Sequence, residues 1–296
     1  MQEAFVEALA ENSAAFSRAG QVKTGPAGTL KIGGVMAGGI ASTLADTDTS
    51  AAATDLSTIE ASVTTAKRFI KHTVPMHMLD KEPMLVQAGR ILADNALTNM
   101  SKDYFDFLEG LFAAAHPRAG AGAFQVGANK KYIDSALKFL NTAGGEGTQD
   151  NLLTSAFSEA ALDSAFQLLL KYKSDRGVPL HIGANGGLVL VVGPKNLKTA
   201  KEIVYSDLSG SDMAVNTMKG LITDVVPWNF TTDEDDWFLI RDPKSPSCPV
   251  GLYIAEAPTA RMAPSADGLF VDFIAEYTNV PFKSPMEAGI IGSNVA

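Results

Sequence analysis

The chain is poor in the residues that usually announce chemistry. It has one cysteine, Cys248, so it forms no internal disulfide and fits a reducing compartment. Cys248 sits in a proline-flanked turn, KSPSCPVG, where the sequence offers no neighbouring base to activate a thiolate, so a structural role is expected. There is no GxxxxGK[ST] phosphate loop, no GxSxG elbow and no HExxH pair. No apolar run approaches the ~20 residues that cross a bilayer. The segment MQEAFVEALAEN is acidic and lacks the basic and apolar regions of a signal peptide, so a soluble, non-membrane protein is expected. Positive charge is also scarce. With 24 Lys and Arg against 33 Asp and Glu, the net charge is −9, which disfavours sequence-independent binding to nucleic acid.

The remaining candidates for a site are thin. Only four histidines occur, His72, His77, His116 and His181, and the spacing of the first two places them on opposite faces of a strand. The glycine string from Gly120 to Gln125 has Gln125 where a dinucleotide-binding pattern needs its third glycine, and it follows a helix, so it reads as a loop. The acidic run Asp233-Glu234-Asp235-Asp236 lacks the glycine and alternate-ligand spacing of a calcium loop and reads as a solvated turn. No catalytic, cofactor-binding or metal-binding residue is assigned, and no cofactor is expected.

What is present is enough to fold. An apolar fraction of 46% over 296 residues supports a sizeable core in one or two domains. Phe5, Val6, Leu9 and Phe16 form the apolar stripe of an N-terminal helix, opposite Glu3, Glu7 and Glu11. From Gly20 to Ser50 the composition turns to Gly, Ala, Thr and Ser. Such a stretch is either a linker or an arm that partners must order. Val63, Phe69, Ile70 and Val74 suggest strand pieces between Thr58 and Val74.

Asp80 to Pro83 caps a long helix expected from Met84 to Ala115. Its stripe runs Ala88, Leu92, Ala96, Met100, Tyr104, Leu108, Leu111 and Ala115, and its length is roughly 48 Å. A short helix is expected over Lys131–Leu140, and a second long one from Ser158 to Gly177 burying Leu162, Ala165, Phe166, Leu169 and Tyr172. Leu188–Val192 is an aliphatic run of strand length. A helix capped by Asn196 follows over Leu197–Tyr205, then strands over Asn216–Val226 and Trp237–Ile240 that read as a hairpin. Later strands fall at Val250–Ala255, Leu269–Tyr277 and Val280–Phe282.

Three strings carry a family resemblance. They are FIKHTVPMHMLDKEPMLVQAGRILADNAL (Phe69–Leu97), FSEAALDSAFQLLLKYKSDRGVPLHIGANGGLVLVVGPKNLKTAKEIV (Phe157–Val204), and Asn216–Leu239 together with the tail FVDFIAEYTNVPFKSPMEAGIIGSN. Their order resembles tailed-bacteriophage major capsid proteins of the Hong Kong 97-type fold, in particular the Mu-type major head subunit family. The resemblance implies an α+β chain with an N-terminal arm (1–40), an extended loop (41–75), a peripheral domain with a spine helix (76–150), an axial domain (151–244) and closing strands of the peripheral domain (245–296).

It also implies the function: a structural, non-enzymatic head protein that self-assembles through hexamers and pentamers into an icosahedral shell around packaged double-stranded DNA. The chain itself is then its main partner. Portal, scaffold or decoration proteins are further partners, and the place of action is the virion, assembled in the host cytoplasm. Two other readings stand beside it. An encapsulin-like nanocompartment would hold protein cargo in a docking groove, and a soluble metal-dependent α/β enzyme would use the acidic turn with a histidine.

Overall fold

The computed structural model describes residues 2–11, 14–35, 58–78, 82–120, 125–140, 146–174, 178–207, 216, 218–265 and 268–295. The end of the expected arm and the first part of the expected extended loop (36–57), Asp80 and Lys81 of the helix cap, and most of the Gly120–Gln125 string lie outside these residues.

The expected N-terminal helix is two: α1 (Gln2–Glu11) and α2 (Ala15–Ala19). Strand β1 (Gln21–Thr24) follows and pairs in parallel with β11 (Val250–Pro264), so the start of the Gly/Thr-rich stretch is anchored in a sheet. Gly251 permits this approach, because a Cβ there would lie 2.1 Å from the Gln21 carbonyl oxygen. Next comes a two-stranded ribbon of β2 (Thr29–Val35) and β3 (Thr58–Thr64). β4 (Ala66–Pro75) returns to the first sheet, whose order is β1-β11-β12-β4 with β12 at Phe270–Lys283. The two late strand expectations, Leu269–Tyr277 and Val280–Phe282, are this single strand. Phe69 lies in β4 as expected of a strand residue, but its side chain faces outward and is 72% exposed.

The long helix α3 spans Glu82–Gly110, roughly 44 Å at 1.5 Å per residue. It ends five residues before the expected stop. The chain past Gly110 is diverted into pairing, with Tyr132 N–H donating to the Ala114 carbonyl and His116 N–H to that of Lys130. Of the expected stripe, Leu92, Ala96, Met100, Tyr104, Leu108 and Leu111 are fully buried, whereas Ala115 is exposed. The short helix expected over Lys131–Leu140 does not form. Asp134 accepts from the Lys131 N–H at 2.8 Å, and Leu137–Leu140 becomes β5, paired with β6 (Glu146–Gln149). Local helix propensity loses to these tertiary pairings.

The second sheet has the order β7-β13-β10-β8-β9. Its strands are β7 (Leu152–Leu153), β8 (Leu188–Val192), β9 (Ile222–Pro227), β10 (Trp237–Arg241) and β13 (Ile290–Ser293). β9 and β10 flank β8 on opposite sides, parallel and antiparallel to it, so they are not the expected hairpin. β9 is also shorter than expected. Asn216, the anticipated start of that strand, instead donates its amide to the carbonyls of Ile203 and Ser206.

Both faces of this sheet are covered, which explains the unbroken aliphatic run of β8. Val189, Val191, Phe238 and Ile240 join the core around Met100–Leu108 of α3 and the following Leu111. Leu188, Leu190, Val192, Trp237 and Leu239 face α4 (Glu159–Lys171) and α5 (Leu197–Tyr205). The α4 cap is Ser158, whose hydroxyl accepts from Ala161 N–H at 3.1 Å, and the helix stops at Lys171 rather than near Gly177. Asn196 does not cap α5; its side chain reaches the Glu234 carbonyl instead. The C-terminal half of α3 therefore lies between the two sheets, while its N-terminal half packs Leu92 and Ala93 against α1 and β12. Among the described residues no helix is long and apolar enough to cross a membrane.

Candidate functional site

The densest polar arrangement in the interior is built on Glu287. This residue lies in the segment between β12 and β13 and is 2% exposed. It accepts from His116 Nε2 at 3.0 Å, from Arg118 Nη2 at 2.7 Å and from the Tyr172 hydroxyl at 2.9 Å. Arg118 also donates Nε–H to the Pro285 carbonyl at 3.1 Å, and its backbone N–H donates to His116 Nδ1 at 3.0 Å. With Nδ1 accepting, the hydrogen of His116 is assigned to Nε2, facing the carboxylate. The imidazole stacks on Tyr132 with centroids 5.3 Å apart.

Burial alone would push the Glu287 carboxyl up. The His116 hydrogen bond and the Arg118 charge outweigh it and hold the group well below the usual carboxylate range. Burial, reinforced by the Glu287 charge, pushes the Tyr132 and Tyr172 phenols well above their ordinary value. The arrangement is thus a tie, ionised at neutral pH, between the chain after α3, the end of α4 and the C-terminal segment. It holds these three segments together in the interior.

The acidic run is not wholly solvated. Asp236 is 3% exposed, because the strand it opens is buried at once, and it accepts from Val295 N–H at 3.1 Å. Burial raises its carboxyl to about 6, with Asp233, Glu109 and Asp235 adding repulsion. Asp235 is neutralised by Lys195, at 2.7 and 2.9 Å. Among the described residues no three His, Cys, Asp or Glu side chains come together as metal ligands.

The histidines are dispersed. His72 meets Asn95 at 2.9 Å, His77 lies in a 3₁₀ turn beyond β4, and His181 is exposed at φ 47°. The Cys248 thiol is buried, donates to the Val250 carbonyl at 3.3 Å and is pushed up by burial, away from thiolate reactivity.

The other candidate is a surface. The β2–β3 ribbon stands on the molecule through Ile32, which packs with Tyr253 and Phe282 while Leu30 and Val63 lie alongside. An isolated two-stranded ribbon is marginal in water, and this small cluster is what fixes it to the first sheet. Sequence reasoning found the strand residues of β3 but not the pairing. It missed Glu287 and Arg118 altogether, since nothing local marks a carboxylate whose partners are 169 and 171 positions away.

No family model matches the chain, and no curated protein matches it. Solved structures do. The capsid of an empty GTA particle matches with a TM-score of 0.61 at 12% identity, covering 96% of this chain and 91% of that one. The mature capsid of bacteriophage PhiM1 matches at 0.56 and 11%, covering 96% and 87%. A virus-like particle from Pyrococcus furiosus matches at 0.55 and 10%, covering 99% and 97%. The fold is the Hong Kong 97-type α+β fold of phage capsid proteins.

Proposed function

We propose that the chain is the major head protein of a tailed bacteriophage, of the Mu-type subunit family, and that it works by assembly and not by catalysis. The observation that carries this reading is coverage. The likeness to phage and GTA capsids runs over nearly the whole chain in both directions, so no catalytic domain is left over to explain. The proposed division has an arm (1–40) and an extended loop (41–75), to which the β2–β3 ribbon contributes. A peripheral domain (76–150 and the long strands of 245–296) is built on α3, and an axial domain (151–244) is completed by the returning strand β13.

Copies join as hexamers and pentamers, and these close into an icosahedral shell. Each contact is weak, but their sum over a closed lattice is large. The ribbon would add backbone pairing to a neighbour. Double-stranded DNA is enclosed without sequence-specific binding, in keeping with the net charge of −9. Portal, scaffold or decoration proteins complete the particle, which is assembled in the host cytoplasm and acts as the virion. No catalytic residue, metal or cofactor has a part in this function.

The test is negative-stain electron microscopy with sedimentation of the purified protein, then nuclease treatment of particles from an infected host. Closed angular shells protecting DNA are expected. Shells of one small size holding a protein cargo would favour the compartment reading, to which the Pyrococcus furiosus particle is the relevant neighbour. A protein that stays monomeric under every condition would overturn both.

A further inference from the structure

Two features elsewhere on the molecule are complementary and cannot meet within one chain. The first is a cleft of about 320 Å³ where β1, β2, the end of β10 and the segment after β12 converge. Ile32, Ile182, Phe282 and Met286 give it apolar walls, and Lys23 and Arg241 give it charge. The Lys23 ammonium lies 4.8 Å over the Phe282 ring. Neither Lys23 nor half-buried Arg241 makes an ion pair among the described residues, and the Arg241 guanidinium makes no hydrogen bond among them. A guanidinium partly withdrawn from water without a carboxylate is costly.

The second feature is the outer face of α1. Glu3, Val6, Glu7 and Ala10 are all exposed and spaced i, i+3, i+4, i+7, so they form one ridge. Val6 is 63% exposed between two carboxylates that have no ion-pair partner among the described residues, and the ridge carries no basic residue. α1 packs over Phe273, while Phe282 walls the cleft, and roughly 30 Å of extended strand separates these two positions.

We infer that the Glu3–Val6–Glu7 ridge of one copy docks in the Lys23/Arg241 cleft of a second copy. Val6 would meet the apolar walls, and the two glutamates the two cations. A ridge and a cleft at different places on the same molecule make a head-to-tail contact, which closes into rings when the rotation allows. The inference rests on the self-assembly reading and adds to it a particular contact with named charges.

The experiment is charge reversal in the full chain, scored by electron microscopy and sedimentation, with circular dichroism as the folding control. Lys23→Glu with Arg241→Glu should give folded subunits that lose closed shells, and so should Glu3→Lys with Glu7→Lys. All four substitutions together should restore shells. Wild-type shell yield from either reversed pair, or no rescue in the fourfold variant, overturns the contact.

A second measurement is independent of variant folding: a labelled peptide of residues 2–11 titrated with wild-type subunits and followed by fluorescence anisotropy. Saturable binding is expected, lost when Glu3 and Glu7 of the peptide are lysine. Equal behaviour of the two peptides overturns the contact. Failure of the wild type to form any shell would instead strike the assembly reading, and the peptide titration would still decide the contact.

Discussion

Glu287→Ala offers the sharpest test of what ties the chain after α3, the end of α4 and the C-terminal segment together. The substitution removes the acceptor of three buried donors and leaves the Arg118 guanidinium, whose side chain is 2% exposed, without its counter-charge. Breaking one side of a buried ion pair costs about 3–5 kcal/mol. The stranded His116 and Tyr172 donors put the expected loss at the upper part of that range. For a chain of 296 residues that corresponds to a fall of roughly 6–8 °C in the thermal midpoint.

The assay is thermal denaturation of unassembled subunits at pH 7, followed by circular dichroism at low and high salt. Because the pair is buried, the fall should be the same at both ionic strengths. The pH dependence gives a second signature. The native carboxyl titrates far below the unfolded value of about 4.3, so its contribution is complete above that pH and is lost on acidification below it. The variant should show a flatter acid limb. A fall of less than about 2 °C, or one that vanishes in high salt, would refute the reasoning.

Three further outcomes are expected. Asp236 titrates at about 6 in the native chain against 3.8 in the unfolded one, so its contribution favours folding at low pH and is lost as pH rises through about 6. Asp236→Asn keeps an acceptor for Val295 N–H and, with screening at the turn, should gain about 1–2 kcal/mol at pH 7; an unchanged midpoint across pH 4.5–7.5 would sink this account. Leu92→Asp buries an unpaired carboxylate between α1 and β12 and should abolish soluble yield, whereas normal yield and a native spectrum would show the packing of α3 to be misread. Gly251→Val forces β1 off β11 and should cost about 2 kcal/mol or more, visible as faster proteolysis before residue 25 and a lower midpoint.

The readable parts of the sequence were those whose pattern reports one environment. Leu188–Val192 is buried on both faces, and a continuous aliphatic run says so. The stripe from Leu92 to Leu111 faces the core at every helical turn, so both the existence of α3 and its inner face followed from spacing alone. The errors fell where distant residues decide local structure. Lys131–Leu140 contains good helix formers, but Asp134 and Asn151 fix it as a turn leading into β5. Helix α3 stops early because residues 130–132 claim the backbone beyond Gly110. The acidic run looks uniformly solvent-facing, yet Asp236 opens a buried strand and follows it inward. The Glu287 tie has no sequence signature, because its members are scattered from His116 to Glu287 and only the closed fold assembles them.

The position of β13 has a consequence for timing. Among the described residues β7, at residues 152 and 153, and β10 are joined through β13, which follows β7 by some 140 residues. Until Ile290–Ser293 are in place, the β10 edge that faces β13 is open. On the assembly reading proposed above, a chain without β13 offers its neighbours no finished second sheet, and truncation before Ile290 should abolish assembly while leaving the β11–β12 hairpin able to form.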